Sequence, residues 1–348
     1  MSLITPIHPH ILSLLTTYYC TAACRNCCFG CNQHRKSKMS SEQIKRYINE
    51  CTQAFPTIKL VVFSGGECFS LKEDLYKSIR YAHKKGLKTR VVTNGYWAKS
   101  YQIALNILKK LRYVGLDEIN LSTGDEHQEW VSFGNIINAI KASVQVNITC
   151  FVNIESNPCS KFSELEFMAD DSISKYVHEK QIYFSYGTWI PYNKEDKRVR
   201  DVKYEIQQKE RIIQPRIQSQ GCNSLFESIP IDPYGNVFAC CGLSCTKIHY
   251  LNIGNIEQLP IEKIYEEQFD DFMKLWSYVD GPKFILKTIG DLSNKKHLIT
   301  SDMHNCEACL LLYNNKNNID FIKKNIDKFI PEVILKYSIK QLKENNEK

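Results

Sequence analysis

Cysteine is the residue whose placement in this chain carries the most chemistry. The run Cys20-Thr-Ala-Ala-Cys24-Arg-Asn-Cys27 sets three thiols at C-x3-C-x2-C spacing, directly after an apolar, β-rich stretch. Three thiolates on one short loop can ligate three irons of a cubane 4Fe-4S cluster and leave the fourth iron open to a small chelating ligand. A structural zinc site instead takes four protein ligands and keeps no open position. Cys28 and Cys31 lie just beyond the run and would complete such a set, so spacing alone leaves zinc as a competitor. A second set stands far downstream: Cys222, then Gly235 after twelve intervening residues, Cys240 after four more, and finally Cys306-Glu-Ala-Cys309. Four thiolates from distant segments can enclose a second 4Fe-4S cluster with no vacancy, or a zinc ion. Cys241 and Cys245 compete with Cys240 for the middle position. Cys51, Cys150 and Cys159 belong to neither set by spacing and read as small buried apolar residues.

Composition bounds the compartment and the partners. The stretch 1–19 has no basic n-region and no small-residue cleavage site, so it reads as a first strand and not as a signal peptide. The expected location is cytoplasmic, where fifteen cysteines stay reduced and clustered thiols point to metal. The net charge of +7 is spread along the chain and reads as a solvated surface, with no nucleic-acid partner expected. No apolar run approaches the ~18 residues of a membrane span, so no membrane partner is expected either. At 348 residues the chain exceeds a single core, which predicts one large domain and one smaller.

The elements that must position these thiols follow from periodicity. From residue 11 to about 190, β-rich apolar runs alternate with amphipathic stretches, the pattern of repeated β-α units around a parallel sheet. Strands are predicted over 11–19, 59–63, 88–93, 118–122, 146–152 and 181–189, and helices over 41–54, 71–85, 100–111, 135–143 and 161–179. Ser40 reads as the first helix's N-cap. The fold class is therefore α/β, a partial (β/α)6 TIM-like barrel over 1–190. A charged linker is expected over 191–221, and a cysteine-rich extension ending in a core-packing helix over 222–348. Functional side chains of such folds gather at the C-terminal strand ends. Those ends carry Cys20, then Ser64-Gly65-Gly66-Glu67, then Thr93-Asn94-Gly95, then Ser122-Thr123-Gly124-Asp125.

In this order the motifs resemble the radical S-adenosylmethionine (SAM) superfamily over about residues 10–190. The resemblance implies that Cys20, Cys24 and Cys27 hold a 4Fe-4S cluster whose open iron is chelated by SAM. Gly65, Gly66 and Glu67 match the family's GGE motif, which binds the methionine amino group. Glycines there would let the backbone approach the ligand, and a carboxylate would pair with the ammonium. Thr93, Asn94 and Ser122 fall where the family contacts the SAM carboxylate and ribose, with Asp125 and His127 as further candidates in the same mouth. Two departures stand out: Asn26 occupies a position usually aromatic, and Cys68 one that is often proline. Cys68 becomes a candidate hydrogen-atom donor, against the reading of a buried neutral thiol. His127 is a candidate for substrate contact, against that of a hydrogen-bonded loop histidine.

The downstream cysteines resemble the SPASM and twitch extensions, which implies a second, auxiliary 4Fe-4S cluster on Cys222, Cys240, Cys306 and Cys309. Such enzymes reductively cleave SAM to a 5′-deoxyadenosyl radical, and those with auxiliary clusters most often act on peptides or proteins. The implied function is therefore crosslinking, epimerisation or oxidation of a ribosomally made peptide. The implied electron donor is a reductase or a flavodoxin or ferredoxin. Only about ten residues precede the first strand, so leader binding would fall to another surface or a separate partner. The alternatives are a radical SAM enzyme acting on a small metabolite, and a non-catalytic zinc-stabilised binding protein.

Overall fold

The alternation of β-branched runs with amphipathic stretches produces parallel strands joined by helices. The computed structural model describes residues 4–157, 159–190, 192, 219–293, 299 and 303–346. The chain divides into two compact units, one from 10–202 with 230–235 and the other from the remaining residues. The linker expected over 191–221 lies outside the described residues, apart from 192 and 219–221.

The first unit holds β1 (Ile11–Leu15), β2 (Leu60–Ser64), β3 (Lys88–Thr93), β4 (Glu118–Thr123), β5 (Thr149–Ser156) and β6 (Ile182–Thr188). They pair in the order β6-β5-β4-β3-β2-β1, every neighbour parallel. This is the sheet of a partial (β/α)6 barrel. The crossovers include α1 (Ser41–Ala54), α2 (Glu73–Lys84), α3 (Tyr101–Tyr113), the short α4 (Asp125–Gln128) and α5 (Phe133–Gln145). Period-two alternation separates the faces. In β4, Ile119, Leu121 and Thr123 are buried while Glu118, Asn120 and Ser122 are half-buried. The register places Ser122 beside Asn153 and Asn153 beside Ser185, so the less buried face of β4–β6 is polar at this level, while two residues back Asn120 lies beside Phe151, which stacks on Tyr183 at 5.0 Å.

Of the boundaries that differ from the sequence reading, three have a clear local reason. β1 ends at Leu15 and not at Tyr19. The Thr16 N–H still reaches the Ser64 carbonyl of β2 at 2.8 Å, but the Thr16 carbonyl accepts the Met39 N–H at 2.8 Å and the Thr17 hydroxyl donates to the Ser37 carbonyl at 2.7 Å, which draws the chain off the ladder. β5 starts only at Thr149 because Val146 closes α5 and Asn147 takes a left-handed φ of 56°. The single helix expected over 161–179 is two, α6 (Leu165–Met168) and α7 (Asp171–His178). The Asp170 carboxylate splits them by capping the N–H groups of Ser172 and Ile173 at 3.0 and 3.3 Å.

The second unit contains the first half of β7 (Ser228–Ile231) and an antiparallel pair, β8 (Asn236–Phe238) and β9 (Asn252–Asn255). Its helices are α8 (Ile261–Glu266), α9 (Phe272–Val279), α10 (Pro282–Ser293), α11 (Asn305–Tyr313) and α12 (Lys316–Asn346). Phe226, Tyr265, Trp276 and Tyr337 form its aromatic core. The Tyr337 hydroxyl donates to the Thr5 carbonyl at 2.7 Å, tying the chain's start to this unit. Among the described residues no helix is long and apolar enough to cross a membrane.

Candidate metal centres

The three clustered thiols follow β1 on a loop with a pinned base. The Tyr18 N–H donates to the Ser37 carbonyl at 3.2 Å and the Cys20 N–H to the Asn32 carbonyl at 3.1 Å. Within the loop, Cys27 N–H reaches the Cys24 carbonyl at 3.2 Å and Gly30 N–H the Cys27 carbonyl at 3.1 Å. The sulfurs themselves accept hydrogen bonds. Cys20 Sγ receives the Ala22 N–H at 3.4 Å and the Asn94 amide at 3.6 Å. Cys27 Sγ receives the Cys31 N–H at 3.4 Å, along with the N–H groups of Phe29 and Gly30. Donors aimed at sulfur favour the thiolate, the form that ligates metal.

Electrostatics divide the trio. Burial pushes the Cys20 thiol up to about 12 and raises Cys24 as well. Cys27 is held down to about 6, first of all by a hydrogen bond from the Cys31 thiol. Cys31 is raised, chiefly because it donates that bond. It therefore supports Cys27. Among the described residues no three His, Cys, Asp or Glu side chains stand close enough to hold one metal ion. Three thiols on one loop, with N–H donors aimed at their sulfurs, are a donor set that fits a cluster held by three cysteines.

The glycine pair after β2 is required by its own chain. A Cβ on Gly65 would lie 2.4 Å from the Thr17 carbonyl oxygen, and one on Gly66 2.1 Å from that of Tyr19. The N–H of Gly66 donates to Thr17 at 2.6 Å and that of Glu67 to Tyr19 at 2.9 Å, so β2 ends flat against the segment that delivers Cys20. Glu67 is fully buried, and its carboxylate accepts from the Phe69 N–H, the Asn94 N–H and the Thr93 hydroxyl, each at about 3 Å. Burial raises it to about 7. Thr93 in turn accepts from the Trp97 indole at 3.0 Å and the Gly95 N–H at 3.2 Å. The Glu67 carboxylate, expected to pair with a ligand ammonium, is enclosed and accepts from protein donors. The half-exposed backbone of Ser64–Gly66 is what this strand end presents.

Asn94 is also buried. Its amide reaches Thr21 Oγ1 at 3.1 Å besides Cys20. Ser122 is half-buried on the polar face. Asp125 accepts the Lys161 N–H at 2.7 Å and so orders the chain after β5. Cys68 is fully buried, its thiol directed at the Val92 carbonyl at 3.3 Å. The thiol thus makes a core contact. His127 Nδ1 lies 2.7 Å from Glu155 Oε2, and its ring meets Trp189 edge-on at 5.0 Å.

Sequence reasoning missed Glu126 and Glu155. The Glu126 carboxylate accepts the Asn26 N–H at 3.0 Å and the Asn26 side-chain amide at 2.6 Å, and its own N–H donates to Glu155. The signal available was position: Glu126 follows Asp125 at a strand end, and Glu155 lies at the true end of β5.

The second set of thiols lies wholly within the second unit. Cys222, Cys240, Cys306 and Cys309 line one cavity, together with Gly242, Asn305 and Tyr313. Cys306 and Cys309 stand three apart on α11, hence on one helical face. Backbone N–H groups again point at sulfur: Ser224 and Leu225 at Cys222, Gly242 at Cys240, Leu243 and Ser244 at Cys306. A Cβ on Gly242 would lie 3.0 Å from Cys306 Sγ and 3.5 Å from Cys240 Sγ. Cys241 is exposed, and Cys245, though buried, does not line the cavity. Of the three contenders, Cys240 is the one that lines the cavity.

Comparison with known proteins gives concordant matches. The model of the Radical SAM superfamily matches residues 14–154, and that of SPASM, an iron-sulfur cluster-binding domain, matches 222–309. YydG of Bacillus subtilis (strain 168), whose name places it in peptide biosynthesis, is 23% identical over 124 residues, 36% of this chain and 39% of that protein. The chain thus matches well under half of that relative's length. The solved structure of anSMEcpe with bound AdoMet and Cp18Cys peptide is 14% identical, with a TM-score of 0.52 over 95% of this chain and 99% of that one. A tagged anSMEcpe with bound AdoMet gives 0.53 over 94% and 98%, also at 14% identity. At this identity the likeness is one of fold.

Proposed function

Because residues 14–154 form a radical SAM domain and 222–309 an iron-sulfur cluster-binding domain, the chain is a radical SAM enzyme, and we propose that its substrate is a ribosomally made peptide or protein. In this reading Cys20, Cys24 and Cys27 ligate the SAM-binding 4Fe-4S cluster, and Cys222, Cys240, Cys306 and Cys309 the auxiliary one. The observation that carries it is the repeated cradle of N–H donors around sulfur in both sets. When bound, the cluster and SAM supply a 5′-deoxyadenosyl radical that removes a hydrogen atom from an unactivated carbon.

The chain's own residues bind and orient. The carbonyls of Gly65 and Gly66 are offered to the methionine end of SAM, while the Thr17 and Tyr19 carbonyls hold this segment from behind through the Gly66 and Glu67 N–H groups. Asn94 braces the cluster loop at Cys20 and Thr21. Ser122 and His127 face the remaining polar portion of SAM or the substrate. Asn120, Asn153 and Ser185 give the polar face amide and hydroxyl groups matched to peptide main chain. YydG's name and the peptide bound to anSMEcpe support a peptide over a metabolite. A cytoplasmic location, a flavodoxin- or ferredoxin-type electron donor and a separate leader-binding partner complete the proposal.

Co-expression with a short peptide from the adjacent reading frame, followed by mass spectrometry in deuterated solvent, tests the substrate class. Loss of two hydrogens marks a crosslink or oxidation, and deuterium uptake without hydrogen loss marks epimerisation. A peptide recovered unchanged while 5′-deoxyadenosine accumulates with a cell-extract metabolite contradicts the peptide reading.

A further inference from the structure

The base of the cluster loop is fastened by backbone hydrogen bonds, but its tip around Asn26 needs another anchor. Two side-chain contacts reach it from α4 and from Glu129, which caps that helix. Arg25 meets Glu129 at 2.6 Å, with side chains 37% and 49% exposed. A pair so solvated contributes little. Asn26 meets Glu126 with both residues almost wholly buried, at 2% and 3% exposure. Its backbone N–H takes Oε2 at 3.0 Å and its side-chain amide takes Oε1 at 2.6 Å. A buried carboxylate is tolerated only when hydrogen-bonded, and bonds to a charged acceptor are the stronger kind. The buried contact therefore dominates.

We propose that Glu126 is a positioning residue that holds the tip of the cluster loop, and with it Cys24 and Cys27, by gripping Asn26 through both of its N–H groups. This explains why a polar residue suits position 26, since an aromatic side chain there would leave the Glu126 carboxylate buried with one donor. The grip extends sideways. The Glu126 N–H is held by Glu155, which also holds His127, so the ends of β4 and β5 fix the anchor before it meets the loop. The Cys24 thiol lies 3.9 Å from the Glu126 carbonyl, so the anchor borders a ligating sulfur directly. The proposal rests on the reading that Cys20, Cys24 and Cys27 hold the SAM-binding cluster.

The test uses the full chain, reconstituted anaerobically, with iron content and the SAM-dependent EPR signal as readouts. Asn26→Asp sets two carboxylates face to face and is expected to lower the SAM-responsive signal roughly tenfold, the scale of losing a hydrogen bond to a charged group. The auxiliary cluster should keep about half of the iron, which shows that the second unit still folds. Asn26→Asp combined with Glu126→Gln restores both bonds, the side-chain one with its sense exchanged. The new amide at 126 donates to the new carboxylate at 26, while its carbonyl still accepts the backbone N–H. That double variant is expected to recover the signal, which a generic packing defect would not allow. A wild-type signal in Asn26→Asp, or no recovery in the double variant, overturns the proposal. Cys24→Ala runs alongside: if it keeps the SAM-responsive signal the ligand reading fails, and if it alone loses the signal only the Glu126 anchor fails.

Discussion

At the scale of single residues, the hydrogen-bond chain Trp97 to Thr93 to Glu67 decides how the strand ends can meet a ligand. One hydroxyl, buried on Thr93, accepts from the Trp97 indole and the Gly95 N–H and donates to Glu67. Thr93→Val keeps the shape but orphans the buried Trp97 indole N–H and the buried Gly95 N–H, while Phe69 and Asn94 still donate to the two Glu67 oxygens. Each buried group left without a partner costs about 1–3 kcal/mol, so the variant is expected to lose at least about 2 kcal/mol. Urea unfolding checks this, and a loss within error of zero would contradict the network. Asn94 and Glu67 were legible as polar residues at strand ends, whereas the inward turn of Glu67 was not. Motif spacing gives a residue's position along the chain, while the direction of its side chain depends on what β1 and β3 present across the ladder. Gly242 is similar. Its need for hydrogen as a side chain comes from two sulfurs, on Cys240 and Cys306, far apart in sequence. Gly242→Ala is expected to abolish auxiliary-cluster loading while the first cluster persists, measurable as loss of about half the iron. Full iron in that variant would contradict the cavity assignment.

At the scale of elements, strand and helix existence followed directly from periodicity, and boundaries failed where a side chain competed with the backbone. Asp170 is the clearest case. Helical spacing runs on through it, but its carboxylate caps α7 and pairs with Lys141 at 2.7 Å, so two helices form. Lys141 foremost, then Ser172, hold its carboxyl down to about 2. A folded-state pKa below the unfolded value near 3.8 means that the ionised form supports folding. Its contribution is complete above the unfolded pKa and is lost as pH falls from about 4 towards 2. Asp170→Asn keeps a capping side chain but removes the charge. The stability gap between wild type and Asp170→Asn, followed by urea midpoint, should be constant above about pH 5 and close below about pH 4. A gap that persists unchanged to acid pH would contradict the ionic contribution. The premature end of β1 has the same kind of cause, since Thr17 spends its hydroxyl on the Ser37 carbonyl, outside the sheet.

At the scale of the whole molecule, two thiol sites sit on two separately compact units. Cysteine chemistry was the most legible feature because ligation demands particular atoms at short spacing, which survives any change in the surrounding packing. The division was less so. Residues 230–235 group with the barrel and the chain's start with the second unit, pairings that only tertiary contacts create. Glu126 and Glu155 were illegible for a related reason, since their partnership depends on where β4 and β5 end in space. The central claim is that Cys20, Cys24 and Cys27 hold the cluster that cleaves SAM, beside a second cluster on the downstream thiols. Iron content and dithionite-dependent 5′-deoxyadenosine formation, measured together on reconstituted wild type and Cys24→Ala, test it most directly. Wild type should carry about eight irons and release 5′-deoxyadenosine, while Cys24→Ala keeps about four and releases none. Tightly bound zinc without SAM cleavage in the wild type, or undiminished 5′-deoxyadenosine from Cys24→Ala, would contradict the account.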